Sequence, residues 1–323
     1  MVDATMSRGF AWLAAILAVF GGAAGCRSEE APSLKRPAKT IRLATGPIGG
    51  GFLPLGEQLV GVLAQRMTDV TIRGEHSAGA VANIDAIQQG RAELAFTFAD
   101  VAYLAFSGQL GAGRPAFDEL RGIAVLQVAP IALIARPGLM LRSPRDLRGL
   151  RVGVGPEGSG TAVTASLLLN AFGLSETDVR IDRSGFQEAA TKLLTGGLDA
   201  MFDNAINPSE SLRRATDAGA RFVPIEGPAA ERLRRDYPFL TATVISRDVY
   251  GSSVHTIGVD GMLICRSDLD ENLVYELTKQ LFLSLKSLGR GALRLMDIDQ
   301  APATPIPLHP GAARYYRERE LSP

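Results

Sequence analysis

A chain of 323 residues, 46% of them hydrophobic, is long enough to bury two cores of ordinary size, so two domains is the default reading. Lysine plus arginine and aspartate plus glutamate balance at 34 each, which excludes a global field that would recruit nucleic acid or an anionic membrane surface. Recognition therefore has to be local.

The first element in chain order is a leader. Arg8 precedes FAWLAAILAVF, an apolar run of eleven residues, and GGAAGC then ends at Cys26, the layout of a signal peptide over residues 1–26. The run falls short of the roughly 20 residues that a spanning helix needs, so cleavage is expected rather than anchoring by the segment itself. Small residues directly ahead of a cysteine resemble the bacterial lipoprotein signal. That resemblance implies acylation of Cys26 and a periplasmic protein held to a membrane by lipid; an ordinary cut near Ala24, leaving a soluble periplasmic protein, is the alternative. With Cys26 acylated, only Cys265 remains and no internal disulfide is expected. Cys265 lies in the apolar run GMLICR and reads as a buried, inert thiol. His76, His255 and His309 have no partner at metal-ligand spacing, so no metal is expected. Residues 27–40 are polar and proline-bearing, as suits a tether between lipid and folded body.

Two halves then repeat one order of elements. IRLATG predicts a strand, PIGGGF a glycine loop, PLGEQLVGVLAQRM a helix with Leu55, Leu59, Leu63 and Met67 at helical spacing, VTIRGEH a strand, AVANIDAIQQG a helix and AELAFTFAD a third strand. In the second half LRVGVG, PEGSGT, AVTASLLLNAFG, VRIDRSG, FQEAATKLLTGG and LDAMFDN follow the same scheme. Strands alternating with helices predict an α/β fold with a parallel sheet in each half and the glycine loops at the carboxyl ends of the first strands. Two such domains facing each other would share one cleft lined by both loops.

AVLQVAPIALIARPG is an apolar strand-like run long enough to pass between the halves, and FLTATVISRDVYG through VHTIGVDGMLIC supplies a return, so the crossings form a hinge. Residues 41–131 with 241–323 are expected to form domain I and residues 132–240 domain II. ELTKQLFLSLKSL predicts an amphipathic helix packing back on domain I, and APATPIPLHPGAARYYRERE, with four prolines ahead of a short helix, predicts a surface strap.

The stretch GVGPEGSGTAV, residues 153–163, admits several readings. Gly153, Gly155 and Gly158 satisfy a dinucleotide fingerprint, with Asp182 at a strand position 24 residues beyond Gly158. Against it stand Glu157 inside the turn, which would repel pyrophosphate, and the export signal. A phosphate loop fails because Thr161 occupies the place of the lysine, and Ser159 lacks the surroundings of a nucleophile. A plain packing turn remains open. The favoured reading makes Ser159, Gly160 and Thr161 the beginning of a helix whose free amides and hydroxyls receive a carboxylate. No activated nucleophile, metal or acid/base pair emerges, so neither catalysis nor a cofactor is expected.

IRLATGPIGGGFLPLGEQL, SAGAVANIDAIQQGRAELAFTFAD, LRGLRVGVGPEGSGTAV and the ending LHPGAARYYRERE together resemble the TAXI-type solute-binding proteins of tripartite ATP-independent periplasmic (TRAP) transporters, over Ile41 to Glu320. The resemblance implies a two-lobed periplasmic-binding-protein type II fold. It also implies a receptor that carries a small organic anion, a dicarboxylate or an amino acid such as glutamate or 2-oxoglutarate, to a membrane permease. Carried over residue by residue, it implies ligand contacts from Thr45, Gly46, Gly51, Phe52, Ser77 and Asn83 in the first half and from Ser159, Gly160, Thr161, Phe202 and Asn204 in the second. Phe52 and Ala80 stand where the family usually has tyrosine and serine, which shifts the expected ligand toward a less polar or differently shaped one and leaves glutamate uncommitted. His76 and Arg183 sit at equivalent strand ends; each is either a solvated loop charge or a group that reaches the cleft, and Arg183, if it faces the ligand, would offer a fork for a second carboxylate. The sequence leaves open a receptor for an ABC importer or a sensor kinase in place of the TRAP permease.

Overall fold

The computed structural model describes residues 39–204, 206, 208–285 and 296–320. The leader, Cys26 and the tether as far as residue 38 lie outside the described residues. Lys39 and Thr40, assigned to the tether from sequence, already belong to the first strand.

In the first lobe β1 (Lys39–Ala44), β2 (Val70–Glu75) and β3 (Leu94–Phe98) form a parallel trio, with Ile41 opposite Ile72 and Leu43 opposite Leu94. The second lobe repeats it with β5 (Arg151–Gly153), β6 (Arg180–Asp182) and β7 (Ala200–Asn204), Val152 lying opposite both Ile181 and Ala200. The likeness reaches the ion pairs. Glu93, just ahead of β3, accepts from the Arg42 amide at 2.8 Å and from its guanidinium; Asp199, just ahead of β7, accepts from the Arg151 amide at 3.0 Å and from its guanidinium. These contacts hold both carboxyls below the ordinary carboxylate range against the effect of burial, and each one ties the third strand to the first.

Helices cover the trios: α1 (Phe52–Arg66), α2 (Ala80–Gln88) and α3 (Ala99–Phe106) in the first lobe, α4 (Gly160–Ala171), α5 (Phe186–Leu194), α6 (Glu210–Asp217) and α7 (Pro228–Asp236) in the second. The leucines expected on the inner face of α1, Leu55, Leu59 and Leu63, are all buried. Among the described residues no helix is long and apolar enough to cross a membrane.

The lobes are joined as the apolar runs predict. β4 (Leu120–Ala135) pairs with β10 (Val254–Arg266) over its first part, and its end, Ile131 to Ala135, pairs with β7 of the second sheet. The short β8 (Arg221–Phe222) lies against Ile134 and Ala135 of β4, and β10 returns after β9 (Leu240–Ile245) and the one-turn helix α8 (Arg247–Tyr250) to lie antiparallel to β3, Leu263 opposite Phe96. Both sheets are therefore mixed: each parallel trio gains an antiparallel strand, because a chain that leaves one lobe and comes back must run in opposite senses through the junction. Cys265 of β10 is buried and burial pushes its thiol up, in keeping with its apolar run.

The ending differs from the expected surface strap. Ala301, Ile306 and His309 are buried; Gly122 of β4 donates to the Pro307 carbonyl at 3.0 Å, and its own carbonyl accepts from His309 at 2.9 Å. β4 carries backbone groups there that β10 does not satisfy, and the strap satisfies them. α9 (Glu271–Leu285) and α10 (Pro310–Glu320) then pack together through Phe282 stacked on Tyr315 and through Arg314 over the Tyr275 ring.

Candidate functional site

The carboxyl ends of β1, β3, β5 and β7 point to one place between the lobes. A cavity there is walled by the loop of Pro47, Gly50 and Gly51, by Phe52, by Gly79 and Ala80 at the start of α2, and by Phe98. From the other side come Ser159, Gly160 and Thr161 at the start of α4, with Phe186, Asp203, Asn204 and Ile206. Its free volume is about 30 Å³, room for a water or two.

The glycines explain this closeness. Gly155 and Gly158 have φ of +83° and +81°, which side-chain-bearing residues rarely adopt, and they turn β5 into α4. The Gly158 carbonyl then accepts from the Val81 and Ala82 amides of the opposite lobe at 3.0 and 3.2 Å. A Cβ on Gly160 would lie 2.4 Å from the Phe98 ring. The loop thus seats the other lobe rather than a dinucleotide, and Asp182, the residue a ribose would need, is taken by Ser184 and Lys192.

The helix starts are less open than expected. The α2 amides of Val81 and Ala82 are spent on Gly158 in this closed arrangement. At α4, Ser159 is the cap and its Oγ accepts from Ala162 at 3.3 Å; Thr161 Oγ1 accepts from the Asn204 amide at 3.3 Å. Both hydroxyls can still donate.

Two buried carboxylates underlie the cleft. Asp100, in the first turn of α3, accepts from the Val101 amide at 2.8 Å and from Thr164 Oγ1 of α4 at 2.5 Å, a bond between lobes. Asp203 accepts from Ser209 and Ser211 hydroxyls at 2.8 and 3.4 Å, and Ser209 is itself held by Tyr250. Burial pushes each carboxyl up to about 6, the hydrogen bonds pulling weakly the other way.

Of the twelve residues expected from sequence, Gly51, Phe52, Ser159, Gly160, Thr161 and Asn204 meet at this cavity. The other six lie outside its lining. Thr45 donates its hydroxyl to the Glu75 carbonyl, locking β1 to β2, and Gly46 leaves 3.0 Å for a Cβ beside Phe52. Ser77 accepts from the Gly79 amide. Asn83 is wholly buried and donates to the Thr45 and Phe96 carbonyls, so it clamps β1 to β3. Phe202 is core, since it shares a strand face with Asn204 but sits deeper, beside α4. Arg183 pairs with Glu176 at 3.0 Å and opens on an outer groove with Leu104 and Tyr237; the fork expected for a second carboxylate is on the wrong side of α4. Sequence reasoning missed Phe98, Phe186, Asp203 and the Asp100–Thr164 pair. The alternation of LDAMFDN contained the signal for Asp203, which faces away from Phe202.

The pattern of the NMT1-like family matches residues 43–319. Among solved structures, the chain is similar to the periplasmic binding protein BugD, with 13% identity over 88% of this chain and 95% of that one and a TM-score of 0.56. It is similar to MatC from Rhodopseudomonas palustris with bound malate, with 18% identity over 88% and 98% and a TM-score of 0.55. The alkanesulfonate-binding protein SsuA from Xanthomonas axonopodis pv. citri, bound to MOPS, is 16% identical over 78% and 75%, with a TM-score of 0.51. At these identities the likeness is one of fold, the two-lobed architecture of periplasmic binding proteins.

Proposed function

This chain belongs to the NMT1-like family, and from that premise we propose that it is an extracytoplasmic solute receptor that closes two lobes on a small carboxylate-bearing solute and presents it to a TRAP-type membrane permease. The observation that carries the reading is the convergence of both glycine loops, the α4 start and the ends of β3 and β7 on one cleft between lobes joined by two strand crossings. Such a joint allows a hinge, and a ligand that touches both walls favours the closed state. MatC, on the same fold, holds malate, a small organic anion. The lobes correspond to residues 41–131 with 241–323 and to residues 132–240. Six residues, Gly51, Phe52, Ser159, Gly160, Thr161 and Asn204, are assigned to ligand contact, and Cys26 to the lipid anchor that holds the receptor in the periplasm.

Thermal unfolding of the purified full-length protein with a panel of monocarboxylates, dicarboxylates and amino acids tests the receptor role. A true ligand stabilises the fold by about 2.7 kcal/mol at a hundredfold excess over its Kd. A flat response to the whole panel would sink it. A multi-spanning permease encoded beside the gene supports the TRAP partner, whereas an adjacent ATPase would replace it.

A further inference from the structure

The cleft draws its polar groups from two sources of opposite sense. The start of α4, a twelve-residue helix, is a positive dipole end with the hydroxyls of Ser159 and Thr161 beside it. The end of β7 offers acceptors. Asn204 is 5% exposed and its Nδ2 donates to Thr164 Oγ1 at 2.8 Å, while its Oδ1 has no hydrogen-bond partner among the described residues. Asp203, also 5% exposed, has among the described residues only hydroxyl partners, Ser209 and Ser211. Among the described lining residues none is lysine, arginine or histidine. A buried carboxylate without a counter-charge is costly, and burial has pushed this one up to about 6. The walls between the two polar ends are apolar, made by Phe52, Phe98, Phe186 and Ile206.

We propose that Asp203 is the specificity-determining residue of the cleft: it receives the primary ammonium of an α-amino acid whose carboxylate lies over the start of α4 and whose apolar side chain meets the phenylalanine rings. The inference rests on the receptor reading above and narrows it. A dicarboxylate would bring its second charge among acceptors with no cation to meet it, whereas an ammonium supplies the counter-charge that Asp203 lacks. The aromatic faces favour a cation as well.

Isothermal titration of the purified full-length protein with matched pairs tests this: leucine against 4-methylpentanoate and phenylalanine against 3-phenylpropanoate, with succinate and malate beside them. At least one amino acid is expected to bind tenfold or more tighter than its deaminated partner and than either dicarboxylate. Asp203→Asn, its fold checked by melting temperature, is expected to lose at least tenfold for the amino acid and less than threefold for the deaminated partner. A deaminated acid or a dicarboxylate that binds as tightly as the amino acids overturns the inference and leaves the receptor reading standing. Silence from every compound overturns both. Should Asp203→Asn fail to fold, the comparison on the unaltered protein decides alone.

Discussion

Thr164 Oγ1 donates to Asp100 Oδ2 at 2.5 Å, and this bond joins the lobes, because Asp100 follows β3 and Thr164 lies one turn into α4. The same hydroxyl accepts from Asn204 Nδ2 at 2.8 Å, so cleft wall and lobe contact share one oxygen. A hydrogen bond to a charged group contributes about 1.5 to 3 kcal/mol. Thr164→Val keeps the shape and strands both partners. The closed arrangement should lose stability on that scale, read as a lower denaturant midpoint and a larger radius of gyration in ligand-free solution. An unchanged radius would show that the lobes are held together by other contacts.

Two buried carboxyls, Asp100 and Asp203, and the half-buried Asp260 give stability a pH dependence with a definite sign. Burial raises Asp100, Asp203 and Asp260 to about 6, so between the unfolded value near 4 and about 6 the folded state binds more protons than the unfolded one. Their contribution is fully present below that window and is lost as pH rises through 6. His309 acts in the opposite sense, since burial lowers it and its contribution is lost on acidification. Three groups against one predict firmer folding at pH 5 than at pH 7. Below pH 4 the trend reverses, as lowered carboxyls such as Glu93 and Asp199 are protonated. Urea unfolding at pH 5 and 7 measures the slope, and Asp100→Asn should flatten it; a slope unaffected by that change would remove Asp100 from the account.

The repeat, the succession of strands and helices along each half and the two crossings were legible because each rests on local signals: apolar alternation, helix-stopping glycines and the Gly90-to-Phe96 and Gly196-to-Phe202 correspondence. What could not be read was which strand ends face across. Thr45 and Asn83 are polar residues at the expected place, yet their side chains satisfy backbone groups of their own sheet, and nothing in a linear pattern separates that use from ligand contact. Arg183 was misplaced for a related reason. A strand end fixes where the backbone is, and β6 lies at the sheet edge, so its side chain reached Glu176 on the outer face. Asp100 was hidden because Ala99 and Asp100, read as the tail of the third strand, open the helix α3, while Phe98 is the last residue of β3 and nothing in the pattern marks it as facing across.

The buried strap also makes a measurable claim. Tyr316 is 5% exposed and its hydroxyl donates to the Ile123 carbonyl of β4 at 2.8 Å, between residues 193 positions apart. Tyr316→Phe removes the donor and leaves a buried acceptor unpaired, which costs about 1 to 3 kcal/mol. The denaturant midpoint should fall accordingly while ligand affinity stays as it was, since α10 is remote from the cleft lining. A change below a few tenths of a kcal/mol would mean that water replaces the hydroxyl there.

Gly160→Ala separates folding from closure. Gly160 is the first residue of α4, after its Ser159 cap, and has no positive φ that would strain an alanine, so the second lobe should fold about as well. The added methyl, however, would stand 2.4 Å from Phe98 Cδ2 and 3.0 Å from Ala80 Cβ, atoms of the opposite lobe. Phe98 is packed against Phe52 at a centroid distance of 4.7 Å and cannot yield cheaply. The contact exists only when the lobes meet, so the variant should keep its denaturant midpoint in the open state, weaken ligand binding by roughly tenfold or more, and fail to contract on adding ligand in small-angle scattering. Ordinary contraction with undiminished affinity would show that Gly160 sits there for its helix turn alone, and that the lobes close by a path on which α4 and Phe98 do not meet.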